Sequence, residues 1–253
     1  MLTQNQRHAK QRFIDAGGTW SAAWDSVLRL DAGFLEAYAG FAAVPWKKNH
    51  LEDKVKSFIA IAADAAATHL YAPGIAEHIH AAISHGATRE ELMEVLELIS
   101  TVGIHAANVG VPVLLEVLEE EGLRNGPVPL DARREALKDS FVQNRGYWHG
   151  SWEGLLELDP ELFEAYVAFS SVPWRTGVLP PKIKELIYCA FDAAATHLYV
   201  PGLKLHMRNA LRYGATTEEI MEMLEIVSVI GIHGALVAAP LLEQALNEAR
   251  SNP

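Results

Sequence analysis

The stretch DAAATHLY occurs twice in this chain, at residues 64–71 and again, unchanged, at residues 192–199. Aligning the chain with itself at this offset of 128 residues matches residues 12–118 to residues 140–246 without a gap, and nearly half of the aligned positions are identical. Such a match indicates a tandem duplication, so the two halves must share one fold. A pocket geometry common to both units would keep the octapeptide intact.

The stretch EEGLRNGPVPLDARR at residues 120–134 separates the two copies. It contains two prolines and two glycines, which is typical of a connecting segment. The sequence therefore predicts a first unit at residues 1–122, a linker at residues 123–131 and a second unit at residues 132–253.

Within each unit the apolar residues follow a helical period. In TREELMEVLELISTVG, Leu92, Val95, Leu96 and Ile99 share one face, and glutamates take the other. The pattern T-x-x-E at the start of this segment, repeated in the second unit, predicts a helix N-terminal capping box. No run alternates with period two for long enough to indicate a strand. We expect an all-α fold with about six helices per unit, the last of the first unit running from Ile104 to about Glu120.

Composition narrows the class of protein. The net charge of −11 opposes nucleic-acid binding, which needs clustered Lys and Arg. No uninterrupted apolar run of about 18 residues and no secretory signal are found, so we expect no membrane partner and a cytoplasmic location. Cys189 is the only cysteine, which excludes a disulfide or a CxxC motif within one chain.

Two matched segments, HIHAAISHGATREELME at residues 78–94 and HMRNALRYGATTEEIME at residues 206–222, each precede a Gly-Ile turn. With these motifs the chain resembles the carboxymuconolactone decarboxylase and alkylhydroperoxidase D superfamily. The resemblance covers the second half of each unit. It implies helical units that associate through shared surfaces, and so a homotrimer of tandem chains that forms a pseudo-hexamer.

The peroxidase branch of that superfamily uses C-x-x-C-x-x-x-H. Counting back from the histidine, the cysteine positions hold Tyr71 and Gly74 in the first unit and Tyr199 and Gly202 in the second. Dithiol peroxidase chemistry is therefore excluded at these sites. The upstream glutamate of that branch is also expected to be missing, because the same counting places isoleucines, Ile59 and Ile187, at its positions.

The decarboxylase branch carries H-x-R, with basic residues about 20 positions upstream. The second unit has this motif as His206-Met-Arg208, with Lys182 and Lys184 upstream. The first unit has His78-Ile-His80 instead, with Lys54 and Lys56 upstream. The resemblance implies that Arg208 binds a substrate carboxylate, so we expect the second unit to bind an anionic ligand more tightly than the first. The octapeptide region is about two residues longer than in simple decarboxylases, which predicts a different pocket mouth.

His78 and His206 are the predicted catalytic residues, because imidazole can exchange protons near neutral pH. The other repeated polar residues are expected to shape or polarise a substrate pocket: Arg208, His80, His69, His197, Tyr71, Tyr199, His105 and His233. Capping of a helix C-terminus is an equally weighted alternative for His69 and His197. A direct Asp–His pair within the octapeptide is not expected, because residues five apart on a helix do not face each other.

These residues favour a cofactor-free acid–base enzyme, a decarboxylase or isomerase-type lyase acting on a small carboxylated lactone or enolic acid. The expected partner is a small anionic organic substrate. A non-catalytic small-molecule binding or scaffold protein is the alternative, since the first unit lacks H-x-R. A metal enzyme with histidine ligands ranks third. No H-x-H or H-x-x-x-H pair recurs in both units, so we expect no metal and no cofactor.

Overall fold

The structure, a computed structural model, describes residues 1–145 and 147–251. Those residues form helices joined by short turns, and no strand occurs among them, which confirms the all-α fold with two tandem helical units. The predicted end of the second unit, at residue 253, lies outside the described residues.

Seven α-helices belong to the first half of the chain: α1 (Gln4–Asp15), α2 (Ala22–Leu30), α3 (Ala32–Trp46), α4 (Asp53–Ala65), α5 (Ala72–Ser84), α6 (Arg89–Ser100) and α7 (His105–Glu120). Eight belong to the second half: α8 (Ala132–Arg145), α9 (Ser151–Leu158), α10 (Pro160–Ser170), α11 (Val172–Thr176), α12 (Pro181–Ala193), α13 (Val200–Arg212), α14 (Thr217–Ser228) and α15 (Ile232–Ser251). The predicted number of about six per unit was too low. In the second unit the segment that matches α3 is divided at Ser171 into α10 and α11.

Local sequence signals fix several helix ends. Thr88 caps α6 in a capping box with Glu91, and α14 begins with the same arrangement, as predicted. Pro-Gly opens both α5 and α13, and each helix is followed by a glycine in the left-handed region, Gly86 (φ +83°) and Gly214 (φ +86°). Because both helices begin at the same motif, His78 and His206 follow their octapeptides by the same number of residues.

The two units are intertwined. Helices α4 and α12 contribute the largest shares of the central core, and the last helix of each unit crosses to the other one. Helix α15 packs on α2, and α7 packs on α9. Both crossings follow a single turn of 3₁₀-helix, at Thr101–Ile104 and Val229–Gly231. Each Gly-Ile-His turn therefore delivers its histidine to the opposite unit.

Buried ion pairs also join the units. Lys56 on α4 pairs with Glu222 on α14 at 3.0 Å, and both side chains are 0% exposed. The symmetry-equivalent pair is Lys184 with Glu94. The upstream lysines that the resemblance associates with the decarboxylase branch are thus engaged in ion pairs, since Lys54 and Lys182 contact glutamates of their own unit.

Two helical runs, Arg89–Glu120 and Thr217–Ser251, reach a mean hydropathy of 1.7 and 1.8 over 18 residues, which is enough to cross a membrane by length and composition alone. Each run is interrupted by its 3₁₀ turn and carries a histidine that contacts the other unit. No residue of α7 is buried within the chain, and its exposed side chains include Val109, Val113 and Leu114. These apolar helices therefore leave a surface for another molecule to cover.

Candidate functional site

The octapeptide forms a tight turn at the end of α4. The helix stops at Ala65, and Leu70 takes a left-handed conformation (φ +50°), which is rare for a residue with a side chain. The amide of Tyr71 then donates a hydrogen bond to the carbonyl of Asp64 at 3.0 Å. The second octapeptide repeats this turn, with Leu198 also at φ +50°. The turn folds the histidine and tyrosine back over the aspartate.

The expectation about Asp64 and His69 assumed a continuous helix, and the structure shows that the helix ends between them. Their ligand atoms lie within 4.8 Å of each other, but the imidazoles that lie within 4.0 Å of the Asp64 carboxylate are those of His78 and His233. The spacing of residues along a helix does not set the distance between Asp64 and His69, because the chain leaves the helix before it reaches His69.

A histidine from the other unit completes each arrangement. Nδ1 of His233 lies 2.9 Å from Nε2 of His69, and Nδ1 of His105 lies 2.6 Å from Nε2 of His197. We define the first site by Asp64, His69, Tyr71, His78 and His233, and the second site by His105, Asp192, His197, Tyr199 and His206. Each site therefore needs both units.

The two aspartates are buried without hydrogen-bond donors. Asp64 is 1% exposed and Asp192 0%, and no described residue donates a hydrogen bond to any of their four carboxylate oxygens. The nearest imidazole nitrogens lie 3.6 to 3.7 Å away, beyond hydrogen-bond distance. Burial raises the pKa of each carboxyl to about 7. A methyl group added at Gly74 or Gly202 would overlap these carboxylates, so the Pro-Gly motif is required for the close approach.

Aromatic rings hold the crossing histidines. Tyr71 stacks on His233 with ring centroids 3.8 Å apart, and Tyr199 stacks on His105 at 3.9 Å. Burial, together with a smaller effect of the neighbouring histidines, lowers the pKa of His233 to about 4 and that of His105 to about 3. These imidazoles are therefore neutral at pH 7 and can offer a lone pair. The structure brings these repeated residues together in two groups, His69 with Tyr71 and His233 and His105 with His197 and Tyr199, and their role in shaping a substrate pocket stays a prediction.

The second site holds a histidine–carboxylate pair that the first site lacks. Nδ1 of His206 lies 2.6 Å from Oε2 of Glu185, and Asn209 donates to the other oxygen of Glu185 at 3.3 Å. The ring of Tyr188 stacks on His206 with centroids 4.4 Å apart. The first unit has smaller residues at the matching positions, with Ser57 for Glu185, Ala81 for Asn209 and Ala60 for Tyr188.

His78 has different surroundings from its counterpart. Its Nε2 lies 3.7 Å from Asp64, and burial lowers its pKa to about 4. His78 is therefore neutral at pH 7, and no described carboxylate accepts a hydrogen bond from it. The two predicted catalytic histidines are thus structurally unequal.

Glu185 overturns the expectation that no upstream glutamate reaches the histidine. The count that placed Ile187 at that position ignored the two extra residues of the octapeptide region, which move the matching position back to residue 185. The insertion was visible in the sequence, and allowing for it would have identified this glutamate.

A cavity of about 50 Å³ lies beside the second site, with His105, Asn108, Tyr199 and His206 among its walls. Polar side chains at the start of α9 and just before it, including Ser151 and His149, also line the cavity. An open depression is lined by His105, His197 and Tyr199. Two pockets therefore border the second site.

Arg208 and His80 are not brought into this cavity. Both side chains are exposed, because a residue two positions after His206 or His78 points to a different side of the helix. A carboxylate-binding role for Arg208 stays a prediction, and it needs a surface that the single chain does not supply.

Comparisons with known proteins agree with this architecture. The sequence profile described as "Carboxymuconolactone decarboxylase family" matches twice, at residues 32–116 and 160–245. A crystal structure from Burkholderia xenovorans, described as a "putative gamma-carboxymuconolactone decarboxylase subunit", is 69% identical with a TM-score of 0.92, and the match covers 96% of this chain and 98% of that one. A search of curated protein sequences finds no significant match. Two matched segments in tandem, together with the duplicated helical units, show that the chain belongs to the carboxymuconolactone decarboxylase family.

Proposed function

We propose that the second site catalyses proton transfer on a small carboxylated lactone or enolic acid, in a decarboxylation or an isomerisation. The observation that carries this proposal is the short contact between His206 and Glu185 beside a cavity that His206 lines. The name of the related structure, a gamma-carboxymuconolactone decarboxylase subunit, supports the same substrate class.

The His206–Glu185 pair suits acid–base work. A carboxylate that accepts a hydrogen bond from Nδ1 fixes the tautomer in which Nε2 has a free lone pair. Because His206 lines the cavity, Nε2 can remove a proton from a carbon acid, and Glu185 then stabilises the imidazolium. In an isomerisation the imidazolium gives the proton it has removed back to another carbon of the enolate. In a decarboxylation the C–C bond to the carboxylate breaks, CO2 leaves, and an imidazolium that has taken its proton from solvent protonates the remaining enolate.

Turnover tests the proposal. We would incubate the purified full chain with gamma-carboxymuconolactone and with related enolic acids, and follow CO2 release together with deuterium incorporation from D2O by NMR. We expect catalysed deuterium incorporation into the ligand or its product. Saturable binding with neither CO2 release nor exchange would contradict the enzyme proposal and favour the non-catalytic binding protein.

We further propose that three tandem chains associate, with α7 and α15 in the interface. Exposed apolar side chains run along both helices, among them Val113 and Val117 on α7 and Val237 and Leu241 on α15. Contiguous apolar surface of this kind marks an association site, and the related structure is described as a subunit.

The expected molar mass in solution is three times the chain mass of 27.8 kDa. Light scattering coupled to size-exclusion chromatography measures it directly. Val113→Glu should dissociate the assembly, because a carboxylate in an apolar interface loses its hydration, whereas Glu119→Gln at the exposed end of the same helix serves as the control. A wild-type mass of one chain would refute the assembly.

A further inference from the structure

We propose that each site binds one divalent transition-metal ion, through Asp64, His69 and His233 in the first site and through His105, Asp192 and His197 in the second. The candidate ligand atoms in each set, one per side chain, all lie within 4.8 Å of one another. Ligand atoms around a first-row ion lie about 2.0–2.2 Å from it, so small side-chain movements would bring all three to a common ion.

The buried carboxylates give an independent reason. A carboxylate that is removed from water and accepts no hydrogen bond is strongly destabilised, and such groups in proteins are normally paired or bound to metal. Asp64 and Asp192 meet this description, since no described residue donates to them. A bound cation would supply the missing partner. Gly74 and Gly202 leave room for the carboxylate where any side chain would collide with it.

The candidate metal ligands are shared by the two units. Around the second site the duplication has changed the neighbours of the catalytic histidine, with Glu185, Tyr188 and Asn209 in place of Ser57, Ala60 and Ala81. The aspartate and both histidines are the same in each site, and each site uses Nε2 from the octapeptide and Nδ1 from the opposite unit. The aspartate and the two histidines are therefore present in both sites, although the residues around the catalytic histidine differ.

The donor set restricts the class of metal. Two imidazole nitrogens and one carboxylate oxygen suit Zn²⁺, Fe²⁺, Co²⁺ or Ni²⁺, whereas Ca²⁺ and Mg²⁺ prefer oxygen ligands throughout. The single negative charge of the set leaves an excess positive charge on the bound ion. An open depression of about 510 Å³, bordered by His105 and His197, provides an entry path to the second site.

A bound metal ion would also contribute to the proposed function. Only this part of the inference rests on the proposed function. Among the side chains that the structure describes, no lysine or arginine lines the cavity of the second site. A cation held by His105 would give a substrate carboxylate the positive partner that Arg208 does not supply within one chain.

The test is metal binding to the full chain after treatment with a chelator. Calorimetric titration with Zn²⁺ and the absorption spectrum of bound Co²⁺ should both give two ions per chain. Asp64→Asn and Asp192→Asn should each weaken one site by more than about 100-fold, since even partners of metal ligands contribute about 10- to 100-fold. Each single variant should then bind one ion, and the double variant none. His85→Ala, at an exposed histidine outside both sets, should bind two.

Unfolding temperatures, measured with and without metal, test the proposal even if a variant is less stable than the wild type. Without metal, Asp64→Asn should unfold at the same or a higher temperature than the wild type, because a buried charge has been removed. With Zn²⁺ the order should reverse. Absence of saturable Zn²⁺ and Co²⁺ binding to the wild type, or equal stoichiometry in the wild type and the double variant, would overturn the proposal. Two bound ions without turnover would leave this inference standing and refute the proposed function.

Discussion

His206→Asn should lower kcat on a carboxylated lactone or enolic acid by about 10²- to 10⁴-fold, the usual contribution of a general acid–base group. Asparagine keeps a polar group of similar size but cannot exchange a proton near neutral pH. Glu185 holds His206 at 2.6 Å, so Glu185→Gln should lower kcat by a smaller factor and leave KM nearly unchanged. Steady-state kinetics over a range of pH would measure both effects, because losing the carboxylate should also move the pH profile.

His78→Asn is the matched control in the first unit. Its imidazole has no counterpart of Glu185, since position 57 is serine, so the variant should retain most of the activity. Equal losses in His78→Asn and His206→Asn would show that the two units contribute alike. Full activity in His206→Asn would remove that residue from the chemistry.

Lys56→Met should lower the free energy of unfolding by about 3–5 kcal/mol, because it leaves the carboxylate of Glu222 buried and without its cation. The ammonium group also donates to the carbonyl of Lys48 at 2.6 Å, which fixes the loop before α4. Glu222 in turn accepts from the amides of His50 and Leu51. The pair therefore joins a helix of one unit to a loop and a helix of the other.

Lys54→Met provides the comparison within the same helix. Lys54 pairs with Glu91 but remains partly exposed, and such pairs contribute about 1 kcal/mol or less. Urea unfolding of the wild type and both variants, at one protein concentration, would measure the difference. Equal stabilities of Lys54→Met and Lys56→Met would show that the buried pair does not hold the units together. Adding Glu222→Leu to Lys56→Met should recover part of the loss, because no unpaired charge is then buried.

The sequence by itself predicted several features that depend on neighbouring residues. The capping box at Thr88, predicted from the pattern T-x-x-E, is a signal that acts within a few residues. The offset between the two octapeptides revealed the duplication, and with it the equivalence of His78 and His206. The motif around those histidines was sufficient to indicate the family.

Only the tertiary structure decided which residues meet. His69 and His233 are far apart in the chain, and no local periodicity states that the last helix of one unit crosses to the other. The partners of Asp64 depend on that crossing and on a left-handed leucine that no propensity predicts. Arg208 lies two positions after His206 and so on a different side of α13, and only the packing of α13 decided which of these sides is exposed. Local signals fix helix ends, whereas the site forms from long-range packing that brings the two units together.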